Sequence, residues 1–252
     1  MKTIKKTFLI VILILLTSFT IQAQDQKYWI YADQVKPSME TEYVQTNKDL
    51  IAACKKHNLQ TFSWMTNRAD DGVYNYIVPI ENMGDLDKKY FEPLAEKIGK
   101  ENMQVMWDKF DKCVDRNKSY ILTLKKELSY MPNGVTLQTD TDRYRKLHYF
   151  FVAPSNMKTV TEKIKAITAL YNQKNSKVNY RVYRSGFGTN EDYFLVSISA
   201  KNEEEYAKKM EENRILLGDE GKTLLDDLYK NISRYDVKTA MMQPDLGYTI
   251  AK

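Results

Sequence analysis

Residues 60–79, QTFSWMTNRADDGVYNYIVP, and residues 179–198, NYRVYRSGFGTNEDYFLVSI, read as one β-hairpin written twice. In each, an aromatic and β-branched run is followed by a cluster of turn residues and a second such run. The first turn cluster, Asn67 to Gly72, contains Asp71-Gly72, a pair that tolerates the positive φ of tight hairpins. The second, Ser185 to Asn190, is SGFGTN. Strands are therefore predicted at Gln60–Thr66 and Val73–Pro79, and again at Val178–Arg184 and Tyr193–Ser199. Laid over one another without gaps, the hairpins put Trp64 on Tyr183, Tyr74 on Tyr193 and Ile77 on Val196.

The flanking sequence repeats in the same order. Tyr28–Ala32 (YWIYA) and Tyr149–Ala153 (YFFVA) are strands dense enough in apolar residues to be buried on both faces. Pro37-Ser38 and Pro154-Ser155 then introduce helices. The first carries Tyr43, Leu50 and Cys54 at helical spacing, with Ser38 as a candidate cap and Glu40 and Glu42 in its first turn, where the helix dipole favours acids. The second carries a stripe of Met157, Val160, Ile164, Ile167 and Leu170. After each hairpin comes helical sequence: Asp85–Ile98 and Glu101–Asn117 in the first copy. In the second copy Asn202 and Glu205 form a capping box before a helix that Gly218 to Gly221 interrupts. Each copy closes with a strand, at Tyr120–Leu128 and Tyr235–Met242. The expected organisation is a first βαββαβ unit over 24–132, a polar linker over 133–143 and a second unit over 144–252.

Ahead of these lie a basic segment, Met1 to Lys6, an apolar run, Phe8 to Leu16, and a small residue at Ala23. This is the pattern of a secretory signal peptide over 1–23, and the apolar run is short for a membrane span. The expected location is periplasmic or secreted, with no integral span after cleavage. Lys2, Lys5 and Lys6 belong to the leader, which leaves 35 basic against 33 acidic residues. The signs are interspersed, unlike the basic stripe of a nucleic-acid binder. Cys54 and Cys113 are the two cysteines. An oxidising compartment permits a bond between them, and two free buried thiols are the other reading.

A βαββαβ unit is ferredoxin-like by topology. Two in tandem resemble the dimeric α/β-barrel superfamily, in which two ferredoxin-like sheets face each other and close a barrel with helices outside. The implied fold class is α+β: two tandem ferredoxin-like βαββαβ units with antiparallel sheets, closing as a pseudo-dimeric α/β barrel within one chain. Two separate ferredoxin-like domains on a linker are the alternative, and further homo-oligomers stay open. The family contains monooxygenases of antibiotic biosynthesis, haem-degrading enzymes, chlorite dismutase-like and dye-peroxidase haem proteins, stress-response barrels and members without known activity. Fold alone selects none of these.

No catalytic constellation emerges from the residues. There is no GxSxG, P-loop or GxGxxG signature and no His or Cys pair at metal-ligand spacing, so no catalytic residue, metal or cofactor is assigned. His57 and His148 are the two histidines. His57 sits where a helix ends in Lys-Lys-His-Asn, a position favoured for basic residues. His148 opens a strand and is the candidate ligand of a haem reading. Haem enzymes of the resembling family take their axial His from a helix in the second half of the unit, where this chain has none. The candidate ligand-binding residues are Phe62 and Trp64 on one strand face with Gln60, then Asn179, Arg181 and Tyr183 on the matching face, and His148. If that face lines the barrel, aromatics would surround a few polar groups and Arg181 would meet a carboxylate or phenolate. The reading is an exported α/β-barrel protein that binds a small apolar or aromatic molecule or is structural, without catalysis. The alternatives are a cofactor-independent monooxygenase-like enzyme on an aromatic substrate, or a haem-handling protein.

Overall fold

The computed structural model describes residues 25–134 and 141–250. The leader expected over 1–23 and residues 135–140 of the expected linker lie outside them. The first half runs β1 (Gln26–Val35), α1 (Glu40–Lys56), β2 (Met65–Ala69), β3 (Val73–Ile80), α2 (Glu92–Ile98), α3 (Lys100–Cys113) and β4 (Val114–Leu124). The second runs β5 (Tyr144–Phe151), α4 (Met157–Gln173), β6 (Tyr180–Ser185), β7 (Tyr193–Ala200), α5 (Glu203–Tyr229) and β8 (Arg234–Met242).

The eight strands close in the order β1-β3-β2-β8-β5-β7-β6-β4, and every neighbouring pair is antiparallel. Each half contributes a four-stranded ferredoxin-like sheet. The halves join at two seams, β2 with β8 and β4 with β6. At the first seam the Asp70 carboxylate accepts from the Thr239 amide at 2.9 Å and its hydroxyl at 2.8 Å. Closure leaves no sheet edge to be protected. The chain is therefore one pseudo-dimeric barrel and not two domains on a linker.

Strand alternation sorts the apolar residues into three cores. Tyr28, Ile30, Leu122, Leu124, Leu147, Tyr193 and Leu195 fill the lumen. Between the first sheet and its helices lie Tyr43, Leu50, Cys54, Trp64, Tyr74, Val78 and Phe110. Between the second sheet and α4/α5 lie Phe150, Val160, Ile164, Val182 and Phe194. Cys54 and Cys113 are both buried and free.

Several boundaries differ from the sequence reading. The second strand begins at Met65, not Gln60, and continues past Thr66 through Asn67-Arg68, which reads as turn sequence, to Ala69. These polar residues are held in the ladder by β3 on one side and β8 on the other. Trp64 instead forms a bridge with Tyr248 near the C-terminus, N–H to O at 2.8 and 2.9 Å. Ser38 does not cap α1; Pro37–Met39 form a 3-10 turn and no side chain caps the helix. The helix α3 ends at Cys113, and β4 begins at once. Half of the expected capping box forms: the Asn202 side chain accepts from the Glu205 amide at 2.9 Å, while the Glu205 carboxylate accepts from the Lys201 amide at 2.6 Å and not from that of Asn202. The expected break is a kink, with Gly218 at φ 60° inside α5.

The gapless hairpin overlay also fails, and the failure changes which face each residue presents. The connection is 70–72 in the first hairpin and 186–192 in the second. In the second, Gly188 has φ +85°, and a Cβ there would sit 2.9 Å from Tyr120 Cα, so this longer turn folds directly onto β4. Matching the ladders pairs Met65 with Arg181 and Asn67 with Tyr183. A shift by an odd number of residues exchanges the two faces of a strand. Trp64 and Tyr183, equated by the overlay, consequently point to opposite sides of the barrel wall.

Candidate functional site

The residues expected to share one pocket occupy three places. Arg181 and Tyr183 do face the lumen, where Tyr28, Met65, Asn67, Arg145, Ser197 and others surround a residual cavity of about 90 Å³. The Arg181 guanidinium donates to Ser199 Oγ at 3.3 Å, and its buried Nε finds no partner among the described residues. Burial and the neighbouring Arg181 charge pull the Arg145 guanidinium down to about 10. Asn179 lies exposed just before β6, at the barrel mouth. The lumen is thus mostly side-chain packing with a polar end.

His148 does not face the lumen. It lies on the outer face of the second sheet, with Nδ1 2.5 Å from Tyr235 Oη and Nε2 3.0 Å from Tyr206 Oη. Burial, helped by Lys146, pushes its imidazole down to about 4. With both ring nitrogens engaged, it does not fit the axial-ligand role of the haem reading. His57 caps α1, its amide donating to the Ala53 carbonyl at 3.0 Å.

Phe62 and Trp64 lie in a third place, and this is the site that strand reasoning missed. The outer face of β1 and β3, together with α1, α3 and the segment before α2, encloses a cavity of about 380 Å³. Its wall is aromatic. Trp29 stacks on Tyr90 at 6.0 Å, and Tyr90 meets Phe62 at 4.5 Å. Phe62 meets Trp64 at 5.0 Å and Phe91 at 5.1 Å, and Phe91 meets Trp107 at 5.1 Å. Trp29, Trp64 and Trp107 are all three tryptophans of the chain. The sequence holds the signal for the site, a Trp or Tyr on alternate residues of β1 (Trp29, Tyr31) and an aromatic face on α3, but these residues also read as ordinary core.

The floor of this cavity is polar. Asp33, buried, accepts from the Tyr43 hydroxyl at 2.8 Å. The Tyr43 and Tyr76 hydroxyls lie 2.7 Å apart, and the Tyr76 hydroxyl meets Asn47 Oδ1 at 2.6 Å. Asn47 is oriented by its own amide, which donates to the Tyr43 carbonyl at 3.1 Å. Three links join four groups, yet the two phenols own two hydrogens and an ionised Asp33 owns none. All three links form together only when Asp33 is protonated. The carboxyl is correspondingly pushed up to about 6, chiefly by burial, with the Asp111 charge adding and the Tyr43 bond opposing.

The second half lacks this arrangement. Helices α1 and α4 have equal length, as do β3 and β7. The positions of Asp33, Tyr43, Asn47 and Tyr76 fall on Phe150, Val160, Ile164 and Val196, all packed in the second outer core. The Tyr31 position falls on His148. The polar floor belongs to the first half alone.

No protein-family model matches the chain, and no curated protein matches it. Solved structures do. A candidate monooxygenase from Lactobacillus acidophilus NCFM superposes with a TM-score of 0.55 at 12% identity, over 90% of this chain and 97% of that one. An anthrone oxidase-like protein gives 0.58 at 9% identity, over 86% and 91%. A chlorite dismutase variant from Candidatus Nitrospira defluvii gives 0.51 at 10%, over 87% and 92%. The chain has the dimeric α/β-barrel fold. At these identities the likeness concerns architecture. The activity of a dimeric α/β barrel follows from the site it carries, and the candidate here is a cavity outside the barrel wall. Among the described residues no cluster of His, Cys, Asp or Glu is suited to a metal ion, and no helix is long and apolar enough to cross a membrane.

Proposed function

We propose that this dimeric α/β barrel is an exported protein that binds a small, flat aromatic molecule in the first-half cavity. The observation that carries the reading is the convergence of Trp29, Phe62, Trp64, Tyr90, Phe91 and Trp107 around about 380 Å³ of space with one buried carboxyl in its floor. A few polar groups in an apolar concavity are the usual make-up of a small-molecule site. The leader pattern at 1–23 supports export; purified from the outer compartment, the chain is expected to start at Gln24, and retention of Met1 would overturn that part.

Because every tryptophan lines the cavity, tryptophan emission of the folded protein reports directly on this site. Titration with 2-naphthol is expected to quench it with saturation. Trp107→Ala should weaken binding about tenfold, a typical cost for removing an aromatic anchor, while Arg181→Ala leaves it unchanged. The reverse pattern would move the ligand into the lumen. A second reading, a cofactor-independent oxygenase on an aromatic substrate, is favoured by Asp33, a carboxyl able to exchange a proton near neutral pH inside the cavity. The names borne by two of the structural neighbours agree with it. Oxygen uptake during the same titration separates turnover from binding.

A further inference from the structure

We propose that the first-half cavity is a receptor for an organic cation, a quaternary or protonated amine carried on an aromatic body, with the charge held by the aromatic faces and by the carboxylates of Asp33 and Asp111. This rests on the reading of the cavity as an aromatic-ligand site and assigns its ligand a charge. The argument comes from the groups that each surrounding element turns toward the space. From β1 come Trp29, Tyr31 and Asp33; from α1, Asn47, with Tyr43 behind it; from β3, Tyr76. From α3 come Trp107 and Asp111, and from β4, Asn117. Lys88 is the one basic residue in the lining, and its ammonium is held by Asp85 at 2.6 Å. No lining cation is left to meet an anionic ligand, whereas two carboxylates stand at floor and rim.

The two carboxylates act on the same space. Tyr31 lines the same space, and burial, then the charges of Asp33 and Asp111, push its phenol up to about 12. A bound cation offsets that repulsion and lets Asp33 ionise, while an anion increases it. The indole and phenol faces attract a cation through their ring quadrupoles, most strongly where water is excluded. The second half has exchanged Asp33, Tyr43, Asn47 and Tyr76 for apolar residues, so it offers no such receptor.

Three benzyl compounds test this: benzyltrimethylammonium, its uncharged isostere neopentylbenzene, and the smaller anion phenylacetate, each followed by tryptophan emission of the full mature chain. At pH 7.5 the cation is expected to bind at least about tenfold tighter than the neutral isostere, with the anion weakest. At pH 5, where Asp33 takes up a proton, the preference should fall to about threefold or less. Asp33→Asn should hold the preference at about threefold or less at both pH values while leaving neopentylbenzene binding intact, and Asp111→Asn should reduce it. Neopentylbenzene or phenylacetate binding as tightly as the cation would overturn the cation assignment and leave the aromatic site standing. Failure of all three to bind would overturn the underlying reading. A preference untouched by pH and by Asp33→Asn would remove Asp33 from the receptor.

Discussion

Phe194→Ala is expected to lower stability by about 4 kcal/mol, as loss of a fully buried phenylalanine does, and the loss should be reported by tryptophans that all lie in the other half of the chain. Phe194 is 1% exposed and sits in the core between the second sheet and α4/α5. Trp29, Trp64 and Trp107 pack against the first half's outer core. Two features couple these regions. The lumen core mixes residues of both halves, among them Tyr28, Ile30, Leu147 and Leu195, and the ring of strands closes only through both seams. Unfolding the second half would open both edges of the first sheet and expose half of the lumen lining. Urea titration followed in parallel by tryptophan emission and far-ultraviolet circular dichroism should give coincident transitions, both displaced in the variant. A tryptophan transition that stays in place while the dichroism curve splits would show that the halves unfold independently.

Asp33→Asn should make the protein more stable at pH 8, by up to about 3 kcal/mol. Asp33 has a folded-state pKa of about 6 against 3.8 ordinarily. Between those values the folded chain holds a proton that the unfolded chain has released, so stability falls as pH rises through this window, and the full deficit is present above pH 6. The hydrogen count explains the direction. An asparagine amide at position 33 donates to Tyr43, which donates to Tyr76, which donates to Asn47, so every link is made without a buried charge. The advantage over the unaltered chain should shrink to about 1 kcal/mol at pH 4.5, where the native carboxyl is itself mostly protonated. Urea midpoints at the two pH values measure it. A variant less stable than the parent at pH 8, or a gap that ignores pH, would sink the account. A carboxyl retained at such a cost is consistent with a role in binding, where cation or proton exchange needs the charge.

The order of elements was legible because it rests on local signals: the alternating runs at Tyr28–Ala32 and Tyr149–Ala153, the helical stripe from Met157 to Leu170, and turn chemistry around Gly72 and Gly188. Those signals repeat, and the repetition implied the pseudo-dimer. Register was not legible. Whether Trp64 or Met65 faces the lumen depends on where β3 and β8 take up hydrogen bonds, and on a second turn longer than the first, which a gapless overlay cannot accommodate. Strand β2 was placed too early because Asn67 and Arg68 look like turn residues until a partner strand from the far end of the chain pairs with them. Arg181 and Tyr183 face the lumen, Phe62, Trp64 and His148 lie outside the barrel wall, and Asn179 is exposed at the mouth.

By itself, then, the amino-acid sequence determined a duplicated ferredoxin-like chain with an aromatic scaffold. Only the tertiary structure decided where a ligand could sit. Asp33, Tyr43, Asn47 and Tyr76 lie on three different elements, and each alone reads as a buried or half-buried residue with a local partner. Their meaning lies in one chain of short hydrogen bonds across the gap between sheet and helix, with three tryptophans converging over it. Contacts of that kind depend on closing the chain in space, and periodicity along a single strand or helix carries no record of them.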